Sequence, residues 1–279
     1  MLDVILDTVI DALKLLPFLF ITFLVMELIE HKYSEKLSKK LAKVNKVGPV
    51  LGSLLGIIPQ CGISASATNL YITRVISIGT LISVYLSTSD EMLPVLISEN
   101  ANISVILKLL LIKFICGIFF GFIIDFLFNK NKKADIKDFC DIEDCDCDHG
   151  ILKSSIIHTL KTFIYILIIT FALNLVITYF GESFMEKLLV SKNPFGIIIT
   201  SLIGLVPNCS TSILLTELYI KGLLSVGKLL SGLLVNAGIG LLILFRYNKD
   251  KKENIKIIAI LLVIGILVGF IFDLLNIVF

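Results

Sequence analysis

Ser53-Leu-Leu-Gly-Ile-Ile-Pro-Gln-Cys61 and Ser201-Leu-Ile-Gly-Leu-Val-Pro-Asn-Cys209 are one stretch written twice, 148 residues apart. Over 53–86 against 201–234, 15 of 34 positions are identical, among them Gly56/Gly204, Pro59/Pro207, Cys61/Cys209 and Gly79/Gly227. The same offset lays Gly117, Gly121 and Asp125 on Gly265, Gly269 and Asp273. One offset kept over two separated stretches marks a duplication. The chain therefore reads as a first membrane repeat 1–128, a linker loop 129–153 and a second membrane repeat 154–279.

Composition says where these repeats live. Of 279 residues 56% are hydrophobic and only 17% charged, against about 25% charged in an ordinary soluble domain. The charges crowd into 30–46, 129–153 and 246–256, leaving runs long enough to cross a bilayer: Thr162–Gly181 has none, and Leu261–Phe279 has only Asp273. A soluble enzyme and a nucleic-acid-binding domain are both excluded on this reading, since no basic soluble face is left to bind nucleic acid. The acidic start, Met-Leu-Asp-Val-Ile-Leu-Asp, is not that of a signal peptide.

Each half is expected to hold one long helix (8–29; 155–180) and a Gly/Pro-broken segment (47–73; 194–221). Two further helices follow (75–98 and 103–128; 223–245 and 256–278). Each broken segment has two arms of about 12 residues, or about 18 Å each, enough to reach the midplane and return. If both are re-entrant, the basic loops 30–46, 129–153 and 246–256 all share the cytoplasmic side with both termini outside, as the positive-inside rule prefers. That leaves three full spans per half, an odd number, so the second repeat is inverted relative to the first. The expected fold is an all-α integral membrane protein of two inverted repeats, each with three transmembrane helices plus a re-entrant or broken helix pair. A bacterial plasma membrane is the expected location.

Irregular backbone is tolerated at membrane depth only where it is buried in protein or lines a cavity. Matched breaks in inverted repeats are the construction of secondary transporters, with the substrate site between them. The breaks offer amide oxygen (Gln60, Asn208), sulfur (Cys61, Cys209) and hydroxyl (Ser64, Ser66, Thr211, Ser212). Alternatively, the Pro and Gly only kink helices and the cysteines are small buried hydrophobes, as Cys116 is expected to be. Next, Ser87, Thr88, Ser89, Asp90 and Glu91 interrupt an apolar stretch, and a carboxylate inside a membrane segment is functional by default. They would otherwise cap a helix at the membrane surface. Asn69 and its counterpart Glu217 serve as ligands or caps; Asp125, Asp273, Glu27 and His31 read as structural residues at helix ends.

The linker carries Asp138-Phe-Cys-Asp-Ile-Glu-Asp-Cys-Asp-Cys-Asp-His149, in which Cys140, Cys145, Cys147 and His149 can supply four soft ligands to one ion. Its spacing is not that of a zinc finger, so a solvated acidic linker is the plain alternative. With no ATPase signature or phosphate loop, transport would draw on an ion gradient. No permanently bound cofactor is expected, and a homo-oligomer is left open.

At these residues the chain resembles the ten-transmembrane heavy-metal exporters, a family that includes manganese transporters and is distantly related to arsenical permeases. The resemblance rests on Leu15-Leu-Pro-Phe-Leu19, Glu30-His-Lys32, Pro59-Gln-Cys-Gly62, Asn69-Leu-Tyr71, Leu86-Ser-Thr-Ser-Asp-Glu-Met-Leu-Pro94, Pro207-Asn-Cys209 and Thr216-Glu-Leu-Tyr219. It covers nearly the whole chain and implies export of a divalent heavy metal. The family's middle loop is richer in His, which here is largely replaced by Asp. Two other readings stand beside manganese export: an arsenical or soft-metal permease using Cys61 and Cys209, and a membrane metal sensor centred on 138–149.

Overall fold

The computed structural model describes residues 16–17, 20–21, 23–24, 47–59, 61–89, 92–128, 151–180, 195–207, 209–277 and 279. The expected first helix, 8–29, and the linker 129–150 lie mostly or wholly outside them. All described regular structure is helical. In chain order it comprises α1 Gly48–Gly56, α2 Cys61–Ile72, α3 Ile78–Ser87, α4 Met92–Ser98, α5 Ile103–Phe128 and α6 Ile151–Phe180. Then come α7 Phe195–Gly204, α8 Cys209–Ile220, α9 Val226–Val235, α10 Gly240–Tyr247 and α11 Lys251–Leu274. The bounds repeat the sequence offset: α2 and α8, and likewise α3 and α9, start and stop 148 residues apart.

Among the described residues three stretches are long and apolar enough to cross a membrane: α5, α9 with α10, and α11. They do so differently. On α5 the exposed side carries Ile103, Leu107, Leu111, Ile115, Phe119 and Phe126. Its buried side is Leu109, Lys113, Gly117, Gly121 and Ile124. Large residues outward and glycines inward is the reverse of a soluble helix, and it suits lipid, where close packing rather than water exclusion joins helices. The stretch Val226–Tyr247 is instead almost wholly enclosed by protein.

Glycine sets how the first-half helices meet. A Cβ on Gly121 would lie 2.9 Å from Pro49 and Ser83 side-chain carbons and 3.0 Å from the Gly79 carbonyl, so α5 touches α3 backbone to backbone. Gly48, Gly52 and Gly56 step along α3 beside Thr80, Val84 and Ser87, which makes α1 parallel to α3. The Schellman-like turn that ends α2 (Val75 N–H to Leu70 O, 2.8 Å) leads directly into α3. The start of α1, the end of α2 and the start of α3 thus share one end, and α1–α2 is a hairpin that folds after Gly56. Ser83 Oγ donates to Pro49 O across α3 and α1, and Ser231 Oγ donates to Ile197 O at 3.3 Å in the matching place.

The first-half start of α3 is closed from the neighbouring helix. Asp125 accepts from Ser77 Oγ (2.8 Å) and from Gly79 N–H (2.9 Å), so a carboxylate meets the positive end of α3. This is the structural role expected for Asp125. Asp273 stands in the same relation to Gly227, where a Cβ would meet its carboxylate.

Two expected helices need correction. Both 75–98 and 223–245 are interrupted: α3 ends at Ser87 and α4 begins at Met92, while α9 ends at Val235 and α10 begins at Gly240. The first break falls where the Ser-Thr-Ser-Asp-Glu run places it. The second, around Asn236-Ala-Gly-Ile239, was not expected, because apolar Ala and Ile hide the turn-forming Asn and Gly among them. The last helix also starts at Lys251 rather than 256, with Asp250 capping Lys252 and Glu253 N–H at 3.0 and 3.2 Å.

Candidate functional site

The interruptions converge. Gly56, at the end of α1, lies against Ser87 at the end of α3, and Gly204, ending α7, lies against the Gly232 backbone in α9. Gly240, opening α10, packs on Tyr85, on the Ser64 carbonyl and on Thr68 of α2. There Thr68 Oγ1 shares a 2.6 Å hydrogen bond with Tyr85 Oη, and bonds to Gly240 O at 3.2 Å. So α2 of the first half packs on α10 of the second; in the matching place α8 packs on α4.

Lys113 ties the two halves together at this level. It is 1% exposed, ten residues into α5 and therefore about 15 Å from that helix's start. Its Nζ donates to the Thr88 carbonyl, which caps α3, and at 3.3 Å to the Leu233 carbonyl in the last turn of α9. Helix C-termini carry unpaired carbonyls and partial negative charge, so one ammonium satisfies two of them at once. Lys113 was missed in the sequence, although a lone Lys inside the apolar run Leu109–Phe120 is itself a signal.

The hydroxyls of the break are mostly engaged with nearby backbone. Ser87 Oγ donates to Ser83 O at 2.8 Å, Thr88 Oγ1 to Val84 O at 2.7 Å, and Ser89 Oγ to Ser87 O at 3.0 Å. Their oxygens keep lone pairs, and all three residues are buried. Asn236 holds the opposite break, accepting from Gly238 N–H at 3.0 Å. Ser64, Thr211 and Ser212 are buried on α2 and α8, and Ser66 Oγ donates to Gly62 O at 2.7 Å.

Asn69 and Glu217 part company despite their matched positions. Asn69 is fully buried, and among the described residues neither its Nδ2 nor its Oδ1 has a hydrogen-bond partner. Such an amide costs about 1–3 kcal/mol unless something not protein satisfies it. The Glu217 side chain is 42% exposed and pairs with Lys221 at 3.4 Å, one turn on. That is a surface ion pair of little energetic weight.

Cys61 and Cys209 each open the second arm of a hairpin, α2 and α8. Gln60, Asp90, Glu91, Asn208, Cys140, Cys145, Cys147, His149, Glu27 and His31 lie outside the described residues. Among the described residues no three His, Cys, Asp or Glu side chains come together around one point. Around the Lys113 ammonium the described residues place two main-chain carbonyls, those of Thr88 and Leu233.

A family of membrane proteins, described as "Putative, 10TM heavy-metal exporter", matches residues 1–188 and again 170–277. The chain belongs to this family. Together the two matches take in both copies of the Pro-amide-Cys stretch, the interrupted α3–α4 and α9–α10, and the linker between them. The family's description points to heavy-metal export across a membrane. No curated protein and no solved structure gives a match.

Proposed function

We propose that the chain is a secondary-active exporter of a divalent metal cation, manganese, through a midplane site where the interrupted helices of two inverted repeats meet. The observation that carries this reading is the Lys113 bridge, which ties the interruption after α3 to the last turn before the interruption in α9. The neighbouring oxygen donors suit Mn²⁺, which prefers carboxylate and carbonyl oxygen. Asp90 and Glu91 supply the negative charge, Gln60, Asn208 and Asn69 amide oxygen, and Ser64, Ser87, Thr88 and Ser89 hydroxyl oxygen. Lys113 holds the two helix ends in register and balances part of that charge.

Inversion and re-entrance are supported by which residues meet. Arg74, just past α2, pairs with Glu253 at the start of α11. Leu96 and Ala101 share a cavity with Leu223 and Phe279. If the hairpins crossed the membrane, both sets would have to join opposite faces; if they return, each set sits on one face. Glu253 and Asp273 are 20 residues apart on α11, about 30 Å along the helix, so the end of the first-half hairpin and that of the second point to opposite faces. With the basic loops inside, the Arg74–Glu253 face is cytoplasmic and both termini lie outside.

The test is total metal content of manganese-loaded cells lacking their own exporter, with and without this protein. A selective fall in manganese establishes cargo and direction. Asp90→Asn should abolish that fall while leaving the protein in the membrane. Unchanged manganese with folded protein present overturns the reading and transfers attention to soft metals, for which the Cys61→Ser, Cys209→Ser double variant is the decisive comparison.

A further inference from the structure

The two hairpin ends are equivalent by position and different by content. Arg74 and Gly222 are 148 residues apart and adopt the same left-handed turn, φ 64° and 70°. Their turns close alike, with N–H donated to Tyr71 O and Tyr219 O, each at 2.9 Å.

At the first end, Arg74 makes a two-pronged bond to Glu253 (3.0 and 2.9 Å), and Tyr71 Oη donates to the same carboxylate at 2.7 Å. Asn248 Nδ2 adds a fourth donor at 3.2 Å. The Glu253 carboxylate holds the Arg74 guanidinium above its usual range, against the opposing effect of burial. This bond joins the first half's hairpin to the second half's last helix.

At the second end the offset puts Gly222 for Arg74, Val105 for Glu253 and Tyr219 for Tyr71. No charge pair is possible between Gly and Val. The space is instead a cavity of about 690 Å³, walled by these three residues together with Leu223, Asp273 and Asn276. Leu223 is 36% exposed in it, whereas Val75, its counterpart at the first end, is 7% exposed.

We infer that Tyr71, Arg74 and Glu253 form a latch closing one end of the transport path, and that the cavity at Gly222 and Val105 is the unlatched counterpart, a vestibule for the divalent cation. This rests on the transport reading above. In the orientation given there, the latch shuts the cytoplasmic side and the vestibule faces out, with Asp273 supplying it a carboxylate. Loading from the cytoplasm then requires Glu253 to part from Arg74, an exchange that a two-pronged ionic bond makes all-or-none.

The test uses the purified full chain in lipid nanodiscs and a water-soluble maleimide, following one engineered thiol by peptide mass spectrometry so that the natural cysteines do not interfere. Leu223→Cys should react quickly and Val75→Cys roughly tenfold more slowly. Glu253→Gln or Arg74→Gln should speed Val75→Cys by about the same factor. Conversely, a latch can be installed at the open end. Gly222 already has the turn that Arg74 uses, and a side chain there meets nothing within 4 Å. Val105→Glu with Gly222→Arg should therefore slow Leu223→Cys, while Gly222→Arg alone should not.

Equal labelling of Val75→Cys with the latch intact and broken overturns the inference, as does a Leu223→Cys rate indifferent to the installed pair. Should the latch-breaking variants fail to fold, the installed pair decides by itself. Labelling needs no cargo. A working latch in a protein that moves no manganese would sink the manganese reading alone, and manganese export with latch-independent labelling would sink only the latch.

Discussion

Asn69 and Lys113 are the two side chains whose burial demands an explanation. For Asn69 the alternatives separate cleanly. If its amide serves cargo or water, Asn69→Leu should raise thermal stability by about 1–2 kcal/mol, because an unpaired buried amide is exchanged for an apolar side chain of similar volume. Export should fall in the same variant, read as retained cellular manganese. For Lys113 the sign is opposite. Lys113→Met strips a donor from Thr88 O and Leu233 O together. It should cost about 2–3 kcal/mol in denaturation and also stop export, since the two helix ends lose their common tie. At this scale the sequence was informative about residue type and weak about surroundings. Asn69 and Glu217 occupy matched positions, yet one is enclosed and the other pairs with Lys221 at the surface. Repeat symmetry predicts backbone place; it does not predict what covers a side chain.

Among the elements, the hairpins were legible because Pro59 and Pro207 interrupt apolar runs in register with Gly56 and Gly204. The second pair of interruptions was only half legible. Polar Ser87–Glu91 announces itself inside an apolar run, but Asn236–Ile239 breaks the helix with little change in hydropathy. The structure makes the two comparable through Lys113, a long-range contact from a third helix that no local pattern encodes. The contact of α5 with α3 is set by absent side chains, and it yields a prediction. Gly121→Val places methyls where Pro49, Ser83 and the Gly79 carbonyl already sit. The expected cost is about 2–3 kcal/mol, seen as a lower melting temperature in detergent. Ile115→Val, on the exposed side of the same helix, should leave melting unchanged.

At the scale of the whole molecule, the halves are joined by exchange as well as by the linker. Helix α2 leans on α10, α8 leans on α4, Arg74 reaches Glu253, and Lys113 reaches Leu233. All four contacts lie between residues outside the linker 129–150, which carries the candidate metal ligands. Replacing it by a Gly/Ser segment of equal length should therefore preserve melting and at least partial manganese export. Complete loss of export from well-folded protein would instead make the linker a required step in metal capture. The overall plan was legible from the 148-residue offset, since duplication fixes element order twice. The asymmetry between the ends was not, because Arg74 against Gly222 looks like an ordinary difference until Glu253 is found bonded to Arg74 and Val105 in the same cavity as Gly222.

The Arg74–Glu253 bond also bears on how the protein is made. Arg74 leaves the ribosome 179 residues before its partner. At about 5–20 residues per second that is roughly 9–36 s of synthesis during which Glu253 does not yet exist. Lys113 waits for Leu233 in the same way, across 120 residues. The first repeat's own helices, α1, α3 and α5, pack on one another without the second, but these two contacts close only after it is made. Closure of the Arg74–Glu253 end is therefore a late event in synthesis, later than the packing within the first half.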